Sequence, residues 1–174
     1  MAHADCALQQ DNKNYHAWAH RQTVLTESAT EGNDDCWMEE LEYVDQMLED
    51  DVFNNSAWTQ RSLIARHLSS EFTVHDVDKT MTSLKRAPHC TAAWNYLLSL
   101  LLSHASSKIK NVVTFCHELL SDQPFCLPCL EFLADVYFAV ALRSDPDVKH
   151  RYLSSCLKIW SQCKAIDPIR LPYW

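Results

Sequence analysis

Apolar residues recur every three or four positions along most of the chain. Behind Asp34 and Asp35, which read as capping residues, they fall at Trp37, Leu41, Val44 and Leu48, the stripe of an amphipathic helix. Three further stretches repeat the pattern: Val74, Val77, Met81 and Leu84; Ile109, Val112, Val113, Cys116 and Leu120; and Val148, Tyr152, Leu153, Cys156, Leu157 and Trp160. Each predicts a helix that turns one face inward.

Between these stripes lie segments of a second kind, at 15–27, 56–69, 91–104 and 129–143, three of which carry a tryptophan. Trp18, Trp58 and Trp94 stand 40 and 36 residues apart, and Trp174 follows 80 later. Half of that last interval leaves room for a copy whose Trp has been replaced. Pro88 precedes Trp94 by six, Pro168 precedes Trp174 by six, and Pro124 precedes Leu130 by six, so Leu130 marks that copy. A period of roughly 36 to 44 residues, one helical hairpin per repeat, predicts an all-α fold, an α–α superhelix of the solenoid kind. The expected organisation is a single domain over 1–174 with repeats near 11–50, 51–86, 87–122 and 123–166, and another beginning at 167–174. A solenoid ordinarily closes on a polar capping helix. This chain stops on the anchor Trp174 instead, so the expectation is a piece of a longer repeat array.

The repeat also sorts the residues of its first copy. "KNYHAWAHRQ" and "NNSAWTQR" share an Asn four before the Trp (Asn14, Asn54) and an Arg three after it (Arg21, Arg61). Residues that recur are framework: the indoles fill space between helices, and Arg21 and Arg61 suit ion pairs between repeats or at a subunit interface. The alternative for Arg21, and for His20 beside it, is a phosphate contact, which the guanidinium fork fits. Tyr15 and His16 are not shared, because Asn55 and Ser56 take their places, and any chemistry belongs there. The plainer account makes Tyr15 a helix cap and His16 a solvated side chain.

Composition narrows the function. One Gly and six Pro in 174 residues exclude a turn-rich sandwich or barrel, and 47% hydrophobic residues support a buried core. A formal charge of −8 with no basic run offers nothing to replace phosphate counterions, so no nucleic-acid partner is expected. No apolar run reaches the roughly 20 residues a membrane span needs. "MAHADCALQQ" lacks the pattern of a secretory signal, which predicts a cytoplasmic protein with eight reduced cysteines. Cys126 and Cys129, with Cys116 and His117 upstream, resemble half of a zinc site. A second Cys pair is missing, and Cys116 belongs to an apolar stripe, so buried thiols are the better reading and no metal site is expected. The acidic run 39–51 reads as a solvated helix face, with a docking surface for a basic partner as the alternative.

"NKNYHAWAHRQTVL", then "ELEYVDQMLEDDVFNNSAWTQR", and later "APHCTAAWNYL" resemble the α subunit of CaaX protein prenyltransferases, the farnesyltransferase and geranylgeranyltransferase type I enzymes. The likeness is close over 11 to about 100 and looser beyond. The resemblance implies a crescent of helical hairpins that pairs with a β subunit as a heterodimer. The pair would move a farnesyl or geranylgeranyl group from its diphosphate to the cysteine of a C-terminal CaaX motif. It implies zinc in the β subunit, magnesium for farnesyl transfer, and no cofactor on this chain. Tyr15 and His16 fall at positions that approach the diphosphate. The family's α subunit carries further repeats ahead of this one, and one of them supplies a lysine near the diphosphate. Lys13 stands in a different repeat, so no catalytic residue is assigned to this stretch and the chain alone is expected to be inactive. Two other readings are a non-catalytic helical-repeat scaffold and a Rab geranylgeranyltransferase-type α subunit.

Overall fold

The computed structural model describes residues 2–30, 35–68, 70–103 and 105–173. Asp34, read as a cap, and Trp174, read as the anchor of a further repeat, lie outside them. The described residues form nine helices and no strand: α1 (Ala2–Gln10), α2 (Tyr15–Thr30), α3 (Asp35–Asp50), α4 (Asn55–His67), α5 (Ser70–Arg86), α6 (Thr91–Ser103), α7 (Ile109–Asp122), α8 (Leu127–Leu142) and α9 (Pro146–Ile166). Short 3-10 segments follow α6 (Ser106–Lys108) and α9 (Pro168–Tyr173). The all-α architecture of helical hairpins is therefore the observed one. The chain divides into two compact units, 1–73 and 74–174, with the division inside α5.

Four turns built alike explain the repeat. At 11–14, 51–54, 87–90 and 123–126 the fourth residue donates its N–H to the carbonyl of the first: Asn14 to Asp11, Asn54 to Asp51, Cys90 to Ala87 and Cys126 to Gln123, all at 3.0–3.1 Å. Asn14 Oδ1 then accepts from the Ala17 N–H (3.0 Å), and Asn54 Oδ1 accepts from Ser56 and Ala57 (3.0 and 3.2 Å). These bonds satisfy donors at the helix start that have no partner inside the helix. The cap is thus the Asn of each copy, not Tyr15.

Each indole closes its own turn. Trp18 Nε1 donates to the Asn12 carbonyl (2.9 Å), Trp58 Nε1 to Val52 (2.8 Å) and Trp94 Nε1 to Pro88 (2.8 Å), always six residues back. The six-residue interval from Pro88 to its anchor is this bond: the proline carbonyl accepts the indole N–H. The next copy uses the same carbonyl. Asn54 Nδ2 donates to Asn12 O (3.1 Å), and Cys126 Sγ donates to Pro88 O (3.3 Å). At Asn12 and Pro88 one backbone oxygen therefore ties an anchor to the cap of the corresponding helix in the next repeat.

In the first unit α1 packs on α2 and α3 on α4, and α2 also touches α3 and α4. Leu25, Trp37, Val44, Ala57 and Ile64 are buried there, and His67 stacks on Trp37 with centroids 4.1 Å apart. In the second unit α8 lies along α9, while α6 and α7 each pack on α8. Its core includes Trp94, Leu97, Val112, Cys116, Leu133 and Cys156. The α9 stripe differs from expectation: Val148 and Leu157 are exposed, and the buried face is Cys156, Ile159 and Cys163. Adjacent apolar residues at 156–157 and 159–160 allow two stripes, and packing against α8 selects one.

Candidate functional site

The first turn of α2 separates the opening stretch by face. Ala17, Trp18, Arg21 and Leu25 point inward at helical spacing and are buried. Tyr15, 77% exposed, and His16 and His20, both exposed, point outward. Tyr15 and His16 meet edge-to-face with centroids 5.6 Å apart. His20 lies one turn beyond His16 on the same side. Among the described residues the Tyr15 hydroxyl and the His16 and His20 rings have no hydrogen-bond partner, so their donors are unspent. Lys13, in the turn just before, pairs with Asp51 at 3.4 Å. The N-terminal turn of α2 adds its own partial positive charge on this side.

Arg21 occupies the opposite environment. It is 4% exposed and hydrogen-bonded to both Glu40 oxygens and to Asp5, and its guanidinium sits 3.7 Å above the Tyr43 ring. Gln60 Nε2 donates to Glu40 Oε1 at 2.8 Å. Burial disfavours the charged guanidinium, but the hydrogen bond and charge of Glu40, with Asp5 behind them, outweigh it and hold the pKa above its ordinary value. Arg61 is 2% exposed and paired with Asp45. In these positions neither guanidinium is open to a phosphate. Both join helices within the first unit.

Asp5, Glu40, Asp45 and Gln60 were not singled out from the sequence, although one signal was present. Asp5 precedes Arg21 by 16 residues, and Asp45 precedes Arg61 by 16. The 40-residue period thus reaches back into α1. Gln60 and Tyr96 each follow their Trp by two residues, and each reaches a buried acid 20 residues earlier, Glu40 and Asp76 respectively. The acidic run 39–51 is accordingly not one solvated face: Glu40 is 2% exposed and Asp45 is partly enclosed. Trp18, Trp58 and Trp94 are buried at 4, 3 and 2% exposure.

The cysteines are packed as small side chains. Cys116, Cys126 and Cys129 are buried, and Cys129 Sγ lies 3.8 Å from the Cys116 carbonyl. The hydrogen bond from Cys129, with burial, pushes the Cys116 thiol far up; burial also lifts Cys126, and Cys163 is pushed up to about 11. Metal ligation needs the thiolate, which these surroundings disfavour. Among the described residues no group of three or more His, Cys, Asp or Glu could hold a metal ion. In native protein, alkylation should label exposed Cys6 first and leave Cys116 and Cys129 unmodified until unfolding. Mass mapping of a time course reads this directly, and early modification of Cys116 would contradict the packing. No helix among the described residues is long and apolar enough to cross a membrane.

Comparison with known sequences supplies the context for this geometry. The pattern of the protein prenyltransferase alpha subunit repeat matches residues 1–28 and 37–68, windows that contain α1 with most of α2, and most of α3 with α4. Over 157 residues, 79% of the chain, it is 29% identical to the protein farnesyltransferase/geranylgeranyltransferase type-1 subunit alpha of Pisum sativum, covering 47% of that protein. Over 92 residues it is 35% identical to the subunit of the same name from Arabidopsis thaliana, covering 49% of this chain and 28% of that one. The chain spans less than half the length of either relative.

Proposed function

For a chain that carries the protein prenyltransferase alpha subunit repeat, we propose the role of an α subunit, in part, of a heterodimeric, cytoplasmic protein prenyltransferase. With a β subunit it would transfer a farnesyl or geranylgeranyl group to the cysteine of a C-terminal CaaX motif. The relatives' names support this reading. The observation that carries the site is the exposed Tyr15–His16 pair, without a hydrogen-bond partner among the described residues, mounted on a repeat whose shared Trp and Arg are buried.

In the reaction the thiol gives up its proton to solvent, its sulfur attacks the first isoprenoid carbon, and the electron pair of the breaking C–O bond leaves on the diphosphate. Negative charge grows on the diphosphate oxygens as the bond breaks. Tyr15 would donate its O–H and His16 its ring N–H to those oxygens, stabilising the charge where it develops. The N-terminal turn of α2 favours an anion in the same place. Zinc in the β subunit and magnesium for farnesyl transfer are implied by the resemblance; this chain's part would be diphosphate stabilisation and the framework that positions it. Tyr15, His16 and His20 form the substrate side, and Arg21, Arg61 and the tryptophans the support.

The test is single-turnover prenylation by the heterodimer that carries this segment. Tyr15→Phe and His16→Ala are each expected to slow the chemical step by as much as about 10²-fold. Melting temperature should hardly change, because Asn55 and Ser56 stand at these positions in the second copy. The chain without its partner should show no turnover. Early melting of both variants with unchanged turnover per folded molecule would make the pair framework. Failure of a β subunit to co-purify would overturn the enzyme reading.

A further inference from the structure

The second unit contains a cavity of about 330 Å³ between α6, α8 and α9. Its apolar walls are Trp94, Leu98, Phe132 and Trp160, and two carboxylates one helical turn apart on α8, Glu131 and Asp135, stand against them. Trp94 and Phe132 meet with centroids 4.8 Å apart and form a packed aromatic floor. Glu131 is half-buried, while Asp135 reaches solvent at the rim. Burial nonetheless pushes both carboxyls above their ordinary range, with Arg170 pulling Glu131 the other way and Asp135 adding to its rise. Two acids are thus held beside aromatic rings in partly desolvated surroundings, where a cation would recover interaction that water no longer supplies.

The chain itself shows which cation fits. Arg170, from the segment after α9, brings its guanidinium to 3.3 Å from Glu131 while also holding Asp167. Asp135 has no ion-pair or hydrogen-bond partner among the described residues. The cavity therefore has one carboxylate answered by an arginine and a second still unanswered, above a wall suited to a hydrocarbon stem and to cation–π contact.

We propose that this cavity is a docking socket for a basic side chain, arginine above all, of a partner protein. The guanidinium would pair with Asp135 and share Glu131, and its methylene stem would lie on Trp160 and Phe132. The planar fork matches a carboxylate in two bonds where an ammonium makes point contacts, so arginine is preferred to lysine. The proposal is independent of the Tyr15–His16 reading, because every residue it uses belongs to the second unit.

The test titrates the full chain with the blocked peptide acetyl-Gly-Arg-Gly-amide, followed by calorimetry and by the indole N–H resonances. Saturable binding with a dissociation constant of about 1 mM or lower is expected. The citrulline peptide, the same shape without charge, should bind at least about tenfold more weakly, as should guanidinium chloride, which lacks the stem. Asp135→Asn should weaken the arginine peptide at least about tenfold, with melting temperature little changed because Asp135 has no ion-pair or hydrogen-bond partner among the described residues. Trp160 should be among the indoles that shift. Equal binding of the arginine and citrulline peptides, wild-type affinity in Asp135→Asn, or no saturation would each overturn the socket. Affinity for guanidinium chloride equal to that of the peptide would reduce it to a small-cation site and overturn the protein-partner assignment.

Discussion

Replacing Glu40 by Gln should destabilise the first unit by about 3–5 kcal/mol, the usual consequence of removing one partner from a buried ion pair. Arg21 remains 4% exposed with its charge intact, and among the described residues Asp5, at the more open end, is the carboxylate left paired with it. The side chain keeps its size and can still accept the Gln60 amide, so the loss reports charge rather than a cavity. Removing both charges together, as Arg21→Leu with Glu40→Leu, should restore part of the stability, since the apolar pair carries no buried charge, while the Gln60 amide loses its acceptor. Urea denaturation of the three proteins measures both changes. A Glu40→Gln variant within about 1 kcal/mol of the parent would show that Asp5 alone satisfies Arg21.

Trp18→Ala should cost a similar amount, about 3–5 kcal/mol, for a different reason. The indole is 4% exposed and packs edge-to-face on Tyr43, with centroids 6.2 Å apart. Its removal leaves a cavity between helices and takes away the N–H donated to the Asn12 carbonyl. That carbonyl keeps the Asn54 amide, so the turn should stay formed while the packing above it fails. Lower folded yield and a lower denaturation midpoint are the expected readouts. Stability unchanged by Trp18→Ala would mean that the indole is not an anchor, and the same substitution at Trp58 would then distinguish a local exception from a wrong account of the repeat.

The two predictions differ in how visible their residues were. Trp18 announced itself by recurrence at Trp58 and Trp94, because a side chain that closes its own turn does so by a local rule: six residues back, one N–H, one carbonyl. The same locality made the helices readable, since 3.6 residues per turn places Trp37, Leu41, Val44 and Leu48 on one face whatever lies opposite. Glu40 sits in the same helix, and the period that sets it on the edge of the Trp37–Val44 stripe, away from Glu39 and Glu42, does not say what could answer a charge buried there. Its burial depends on Arg21 arriving from 19 residues away and Gln60 from 20 on the other side. Leu157 was misplaced on α9 for a related reason, because two apolar stripes satisfied the period and only α8 could choose.

By itself the sequence determined the helical repeat, its shared Asn and Trp framework, and the contrast that singles out Tyr15 and His16 as the unshared pair. The capping role of Asn14 and Asn54 came from the structure. Tertiary structure alone decided that Arg21 and Arg61 face inward onto Glu40, Asp5 and Asp45 while Tyr15, His16 and His20 face out, and that Glu131 and Asp135 meet an aromatic wall. The physical reason is range. Caps, turns and stripes are satisfied within a few residues of chain, whereas a buried charge or a cavity exists only through groups that neighbouring helices bring to it.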